Sequence, residues 1–373
     1  DTIQPKWIHH LNHIGGSIPD AKFHPNGNVL AAVNTDVGEI LELDPNTGEV
    51  LRIIQQPPED QTVPILHLNI LPDGSTLIVG ENLYDYETGQ FIRRFSNFTA
   101  YSGNYGIFPD SKRLLGVASN PSRIAIYDIE QDSILATYKP SYMGYSDPWL
   151  YLTNMRMSPD GRFIAMVYRN GGSQKLWYES IWSTDSMKEV QGIWFHNENG
   201  DSSSPNEIKW SKDSKYLGFL STHESGSDYE LKVFDVAEWI NSQMQSGKYV
   251  FSDVYDFDFS SDSKSIIISG GFYNDSRMID TKTGFLKAYF GKNWQVFDVY
   301  DNNFITEGGG VLYFDYSSVG VKTSETPSTP IKSVQYEQGK LTITLNTIQP
   351  VSEITITDIA GKILFQAPQM PNT

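Results

Sequence analysis

The chain has 373 residues, of which 39% are hydrophobic, enough for the cores of one large domain and a small one, or of two ordinary domains. A net charge of −17 repels phosphate backbones and excludes broad nucleic-acid binding. The sequence contains no cysteine, which excludes disulfides, thiolate metal sites and cysteine nucleophiles. No apolar run reaches 18 residues, so we expect no transmembrane segment.

The first predicted strand, residues 6–11, precedes a motif that repeats through most of the chain. Each copy is a short turn between an alternating strand and an aliphatic strand. Six clear copies and a weaker seventh are Phe23–Gly27, Ile70–Gly74, Ile107–Ser111, Met157–Gly161, Trp210–Ser214, Phe259–Ser263 and Phe297–Asp301. Several contain Pro, which presets φ, then Asp, which caps the turn, and a final Gly, which accepts positive φ.

A third strand, a second turn and a fourth strand complete each repeat. The third strand often ends in Asp, as at Asp44 and Asp280, and a Thr-Gly turn leads into a fourth strand, as at Val50 and Phe91. The clear copies of the first turn recur at intervals of 37 to 53 residues. Four antiparallel strands in a period of this length are typical of a propeller blade. The sequence therefore predicts an all-β, seven-bladed β-propeller.

The seventh repeat predicts how the ring closes. Its third strand, Val311–Tyr316, is followed by a change of composition and no fourth strand. We therefore expect residues 6–11 to supply that strand, which removes a free sheet edge.

Helical periodicity is nearly absent. Residues 236–245, after a candidate cap at Asp235, predict either one short helix or an irregular loop.

The repeated turns and strands resemble the bacterial WD40-like and TolB-like propellers, in which Ser-Pro-Asp-Gly turns recur. The resemblance covers roughly residues 6–322 and implies a propeller domain over residues 1–322. It is specific for the fold and implies little about function, because propellers carry many unrelated activities on one scaffold.

A polar, Pro-rich linker is predicted over residues 323–330, and residues 331–373 contain alternating strands at Lys340–Leu345, Ser352–Ile359 and Ile363–Gln366. With the Gly361-Lys362 turn, this segment resembles the first half of the type A sorting domain of the type IX secretion system. The resemblance implies a small β-sandwich and export to the exterior or outer-membrane surface of a Bacteroidetes-like bacterium. A start at Asp1 is what we expect of a processed chain. The alternative is an unrelated small β-sandwich or an accessory hairpin sheet.

Long connections are predicted on one face of the propeller, where fourth strands lead to the next blade and second strands to third ones. Long loops on a rigid scaffold are where binding normally resides. The candidate binding residues on this long-loop face are Tyr142, Tyr145, Trp149, Tyr151, His196 and His223. Exposed aromatic side chains favour a protein or glycan partner. The alternative is that the aromatic residues pack their loop onto the blade.

Three functions remain open from the sequence. The first is a non-catalytic secreted scaffold that binds a protein or glycan through the long-loop face. The second is a secreted hydrolase or lyase with a cation-assisted site of His and carboxylates at the central channel. The third is a structural subunit of an extracellular surface assembly, which predicts an apolar patch on one face or edge. No cofactor is expected; Asp256 and Asp258 with residues 260–263 suggest at most a structural calcium ion.

Overall fold

Seven four-stranded antiparallel sheets make up the larger part of the chain. The computed structural model describes residues 5–10, 17–34, 38–60, 65, 67–96, 105–117, 124–138, 150–170, 176–196, 207–222, 229–242, 247–270, 275–292, 296–301, 303–307, 310–315, 331–337, 340–345, 354–357 and 363–367. Contacts within the chain divide it into two units, Asp1–Ser318 and Val319–Thr373. Within the described residues, no helix is long and apolar enough to cross a membrane.

The strands of the first unit follow the predicted repeats. In chain order they are β1 (Trp7–His10), β2 (Ser17–Phe23), β3 (Val29–Asn34), β4 (Glu39–Leu43), β5 (Val50–Gln55), β6 (Leu68–Ile70), β7 (Thr76–Val79), β8 (Asn82–Asp85), β9 (Phe91–Arg94), β10 (Gly106–Ile107), β11 (Arg113–Val117), β12 (Ile124–Asp128), β13 (Ser133–Tyr138), β14 (Leu150–Met157), β15 (Phe163–Asn170), β16 (Leu176–Ser183), β17 (Lys188–His196), β18 (Glu207–Trp210), β19 (Tyr216–Thr222), β20 (Tyr229–Asp235), β21 (Tyr249–Ser252), β22 (Val254–Phe259), β23 (Ser265–Gly270), β24 (Asp275–Asp280), β25 (Leu286–Lys292), β26 (Val296–Tyr300), β27 (Asn303–Glu307) and β28 (Gly310–Asp315).

Each sheet uses consecutive strands, so β2–β5 form blade 1, β6–β9 blade 2, and so on to β22–β25 in blade 6. First strands of neighbouring blades contact one another, as β2 contacts both β6 and β26. The first strands therefore surround a central channel, and the fourth strands lie at the circumference. This confirms the predicted seven-bladed propeller with four-stranded blades.

Blade 7 is closed by the N-terminal strand, as predicted. Strand β1 pairs antiparallel with β28, which places Trp7 opposite Tyr313, and their rings stack 4.9 Å apart. The indole Nε1 of Trp7 donates to Pro45 O at 3.1 Å, and His9 Nδ1 donates to Gly48 O at 3.0 Å. The closing strand thus joins blade 7 to the second turn of blade 1.

Replacing Trp7 by alanine is expected to destabilise the propeller by about 3 kcal/mol, because a buried indole leaves a cavity at the closure. Urea unfolding at neutral pH measures the change in unfolding free energy. Ile8→Ala is the matched control, since Ile8 is exposed on the same strand and its loss costs about 0.5 kcal/mol. Equal losses for the two variants would show that the closure adds no stability.

The repeated turns also connect neighbouring blades. Their fifth residue has a positive φ in all seven copies, whether it is glycine, serine or, at Asp301, aspartate. Where this residue is serine, its hydroxyl accepts a hydrogen bond from a backbone N–H of the preceding blade. The three donor–acceptor pairs are Asp73 N to Ser111 Oγ at 3.0 Å, Asp160 N to Ser214 Oγ at 3.1 Å and Asp213 N to Ser263 Oγ at 3.0 Å. These inter-blade bonds offset the strain of a serine in the left-handed region.

The core consists of apolar clusters between adjacent blades. Tyr178 and Trp182 of β16 are buried between blades 3 and 4. Helix α1 (Val236–Asn241) occupies part of the segment predicted as a helix or a loop, and Asp235 caps it by accepting the Glu238 backbone N–H. Trp239 of this helix stacks on Phe234 and extends the core between blades 4 and 5.

The second unit contains two antiparallel hairpins among its described residues. Strand β29 (Ile331–Glu337) pairs with β30 (Lys340–Leu345), and β31 (Ile354–Thr357) pairs with β32 (Ile363–Ala367). All three strands predicted in this segment are present, and the structure adds Ile331–Glu337. The β-sandwich implied by the resemblance stays a prediction.

Candidate functional site

The structure describes little of the predicted long-loop face. Tyr142, Tyr145, Trp149 and His223 lie outside the described residues. Tyr151 belongs to β14, and His196 is the last residue of β17, but the description does not extend to their side chains. Binding at this face therefore stays a prediction.

The central channel is lined by charged residues of the first strands, which the sequence analysis did not bring together. Electrostatic interactions link Lys22 of blade 1 with Glu207 and Lys209 of blade 5, across the ring. The charged residues of the channel that lie within electrostatic range of one or more of the others are Asp20, Lys22, His67, Arg156, Glu207, Lys209, Asp256, Asp258 and Asp298. Alternation along each first strand places them on the channel side.

Lys209 is the centre of the acidic side of the channel. Its Nζ lies 3.3 Å from Asp256 Oδ1, 3.9 Å from Glu207 Oε1 and 4.0 Å from Asp258 Oδ2. It also donates to Val296 O of blade 7 at 3.2 Å, so its side chain reaches two blades beyond its own. Burial acts to lower the pKa of Lys209, but the three carboxylates outweigh it and raise the pKa above its usual range. The ammonium group stays charged and holds these carboxylates together.

Channel carboxylates also bind the blades to one another. Asp20 Oδ2 accepts the Leu68 N–H of blade 2 at 2.9 Å, and Asp298 Oδ2 accepts the Phe23 N–H of blade 1 at 2.8 Å. Asp256 Oδ2 accepts the Val296 N–H of blade 7 at 3.1 Å. In each pair, a carboxylate on one first strand accepts a backbone donor from the next blade.

The channel contains some of the groups that a hydrolytic site would need. His67 lies within electrostatic range of Asp20, Arg156 and Glu207, and its pKa is lowered, mainly because it is buried. A neutral imidazole beside carboxylates has the chemistry of a general base. Among the described residues, however, no three His, Asp or Glu side chains are arranged to hold a metal ion. The structural calcium ion stays a prediction.

The circumference of the propeller presents a second candidate surface. Most of the exposed large apolar side chains in the described part of the chain lie on fourth strands. These are Ile8, Val50, Leu51, Ile53, Phe91, Ile92, Ile134, Leu135, Val190, Val250, Leu286 and Tyr289. Large exposed apolar patches on folded proteins mark interaction sites.

A recurrent β-bulge accounts for part of this exposure. The register shifts near the start of the fourth strand in blades 1, 2 and 3, so one extra residue there has no partner in the ladder. Those residues are Leu51, Ile92 and Leu135, and they are 53%, 50% and 51% exposed. The residue before each is also apolar and exposed. We call these three dipeptides the rim pairs: Val50–Leu51, Phe91–Ile92 and Ile134–Leu135.

Contacts between neighbouring blades link the fourth strands that carry the rim pairs to the second turn of the next blade, and we call these three strands with their turns the strip. Arg52 Nη1, on the fourth strand of blade 1, donates to Glu87 O in blade 2 at 2.8 Å. Arg93 Nη1, on the fourth strand of blade 2, lies 3.0 Å from Asp132 Oδ1 in blade 3. Two successive apolar residues at the start of an alternating strand are the sequence signal that could have revealed this strip.

The fold and its surfaces define the chain as a seven-bladed β-propeller. No protein-family model matches it, and no curated protein matches it either. Solved structures do. A chain in the crystal structure of the mitotic checkpoint complex has a TM-score of 0.60 and 14% identity, and the match covers 84% of this chain and 92% of that one.

Two further structures match equally well. Hydrazine synthase from Kuenenia stuttgartiensis has a TM-score of 0.59 and 14% identity, over 83% of this chain and 99% of that one. The β-propeller domain of Cps50 (Swd1) from Myceliophteria thermophila has a TM-score of 0.59 and 12% identity, over 82% and 99%. At these identities the similarity establishes the fold alone, and it confirms the WD40-like resemblance at that level.

Proposed function

We propose that the chain is a non-catalytic scaffold that binds a protein partner through the rim pairs of blades 1, 2 and 3. The observation that carries the proposal is the exposure of three apolar dipeptides on adjoining blades. The bulges break the regular backbone edge of each blade, which disfavours addition of a partner's strand. Docking would therefore use side chains. The mitotic checkpoint neighbour, a propeller within a protein complex, supports an assembly role.

We further propose that this scaffold acts outside the cell. Its support is the resemblance of residues 331–373 to a type IX sorting domain, with the alternating strands and Gly361-Lys362 turn of that family. The protein would then be secreted or held at the outer-membrane surface. The long-loop face, with Tyr145 and Trp149, is the other surface proposed for a protein or glycan.

A second candidate function rests on His67. This imidazole shares the channel with Asp20 and Glu207, the kinds of residue that a propeller hydrolase or lyase would place there. If the chain is an enzyme of this class, His67→Ala abolishes a hydrolytic or lyase activity of the purified protein. A scaffold has no such activity to lose.

Site-specific photo-crosslinking in the producing cells tests the proposal. A photoreactive residue is placed at Leu51, Ile92 or Leu135 of the rim, or at Tyr145 or Trp149 of the long-loop face, and Asn26, exposed in the first turn of blade 1, serves as the control position. We expect one and the same protein to be cross-linked from all three rim positions and not from Asn26. Cross-links from Tyr145 and Trp149 without any from the rim would move the binding surface to the long-loop face and contradict the proposal.

A further inference from the structure

An exposed glutamate occurs in the turn that leads into the strand of each rim pair. Glu49 directly precedes Val50 in blade 1. Glu87 lies in the turn before Phe91 in blade 2, and Glu130 lies in the turn before Ile134 in blade 3. All three glutamates are exposed. The same combination of an acid and an apolar dipeptide thus occurs on three successive blades.

Among its described residues, the strip carries more unpaired acidic side chains than unpaired basic ones. None of the three glutamates forms an ion pair with a cation in the part of the chain that the structure describes. The arginines of the same strands are already neutralised by other carboxylates: Arg52 by Glu42 at 2.7 Å, Arg93 by Asp132 at 3.0 Å and Arg94 by Asp60. The net charge of −17 adds to the negative potential.

We propose that the rim pairs bind a segment of a partner protein in which apolar side chains alternate with lysine or arginine. This inference rests on the proposed function. The apolar residues of that segment cover the rim pairs, and its cations lie against Glu49, Glu87 and Glu130. Anionic lipid surfaces are disfavoured because the strip repels their headgroups. A second copy is disfavoured because two chains of this charge repel each other.

Blade 6 provides a matched control within the same chain. Its fourth strand begins within an exposed apolar pair, Phe285 and Leu286, which are 75% and 46% exposed. The turn before that pair carries Lys282 in place of the glutamate of blade 2, and Lys287 follows it. Blade 6 therefore presents the apolar dipeptide without the neighbouring acid.

Fluorescence anisotropy with the full chain tests the inference. The probe is a labelled 15-residue peptide in which leucine alternates with lysine, and its counterpart has glutamate in place of lysine. We expect the lysine peptide to bind more tightly than the glutamate peptide, and high salt to weaken it. The triple variant Glu49→Gln/Glu87→Gln/Glu130→Gln should bind the lysine peptide about tenfold more weakly. The reason is that it loses three exposed charge pairs, each of which contributes about 0.5 kcal/mol.

Two further variants identify the surface. Leu51→Ser/Ile92→Ser/Leu135→Ser should abolish binding of the lysine peptide, whereas Phe285→Ser/Leu286→Ser should leave its affinity unchanged. All these side chains are exposed, so thermal unfolding should show that each variant is folded. Equal binding by the glutamine variant, equal binding of the two peptides, or rim-dependent self-association in sedimentation would each overturn the inference.

The cross-linking experiment separates this inference from the proposed function. If cross-links from a photoreactive residue at Ile92 to one protein persist in the glutamine variant and disappear when Leu51 and Leu135 are replaced by serine, the rim binds a partner whose charge is not basic. That result overturns the inference and leaves the proposed function intact. If no rim position forms a cross-link, the proposed function itself fails.

Discussion

Replacing Lys209 by methionine is expected to destabilise the propeller by about 3 to 5 kcal/mol at pH 7, because three carboxylates lose the cation between them. Glu207, Asp256 and Asp258 all lie within 4.0 Å of its Nζ. The loss should shrink toward pH 5, where the orphaned carboxyl groups take up protons more readily. Urea unfolding of both proteins across this pH range measures the effect.

An exposed lysine supplies the control for Lys209. Lys264 is 76% exposed and lies 3.5 Å from Asp262, so Lys264→Met removes one ion pair in contact with water. Such pairs contribute about 0 to 1 kcal/mol. Similar losses for the two variants, or a loss at Lys209 that does not change with pH, would show that the channel cluster does not bind the blades together.

The second large effect is expected at Glu179, a carboxyl group buried between blades 4 and 5. It belongs to β16, where Val167 and Ile193 flank it on the adjacent strands. The side chain is fully buried, and neither of its oxygens has a hydrogen-bond partner among the described residues. Burial raises the pKa of Glu179 to about 8; Lys232 opposes this shift and Glu230 adds to it.

The raised pKa fixes the direction of the pH dependence. The native protein retains a proton that the unfolded chain releases above the ordinary pKa of 4.5. The contribution of protonated Glu179 to the free energy of unfolding is therefore fully present below pH 4.5. It is lost as the pH rises toward 8, by an amount on the order of 4 kcal/mol. Glu179→Gln keeps the neutral form at every pH, so it should be more stable than the wild type at pH 8 and similar to it at pH 4.5.

Unfolding free energies at pH 4.5, 6 and 8 test this prediction. Glu130→Gln is the control, because Glu130 is exposed and should give the same pH profile as the wild type. A Glu179→Gln profile parallel to that of the wild type would show that Glu179 has the same pKa in the folded and unfolded chains.

The fold was accessible from the sequence because its signals are local. A turn residue that needs positive φ, such as Gly74 or Gly161, sits at the end of each repeated motif. The missing fourth strand of blade 7 could be inferred because a propeller ring must close, and β1 fills that place. Helix α1 was only an alternative, since one Asp cap and six residues give a weak signal.

The channel could not be read from the sequence in the same way. Asp20 and Lys22 are two positions apart on one strand, as are Glu207 and Lys209 on another. This spacing shows that each strand has a charged face, but it does not show which residues of other blades that face contacts. The contact of Lys209 with Val296 joins residues 87 positions apart and exists only because the ring closes. The rim pairs had a local signal, but their exposure depends on a bulge, which tertiary context fixes.

The most direct test of the rim as a binding surface is a cryo-electron microscopy map of the chain cross-linked at Ile92 to its partner. The proposed function predicts partner density over the fourth strands of blades 1, 2 and 3, in contact with all three rim pairs. Density over the long-loop face or the mouth of the channel, with the rim pairs left in solvent, would contradict it.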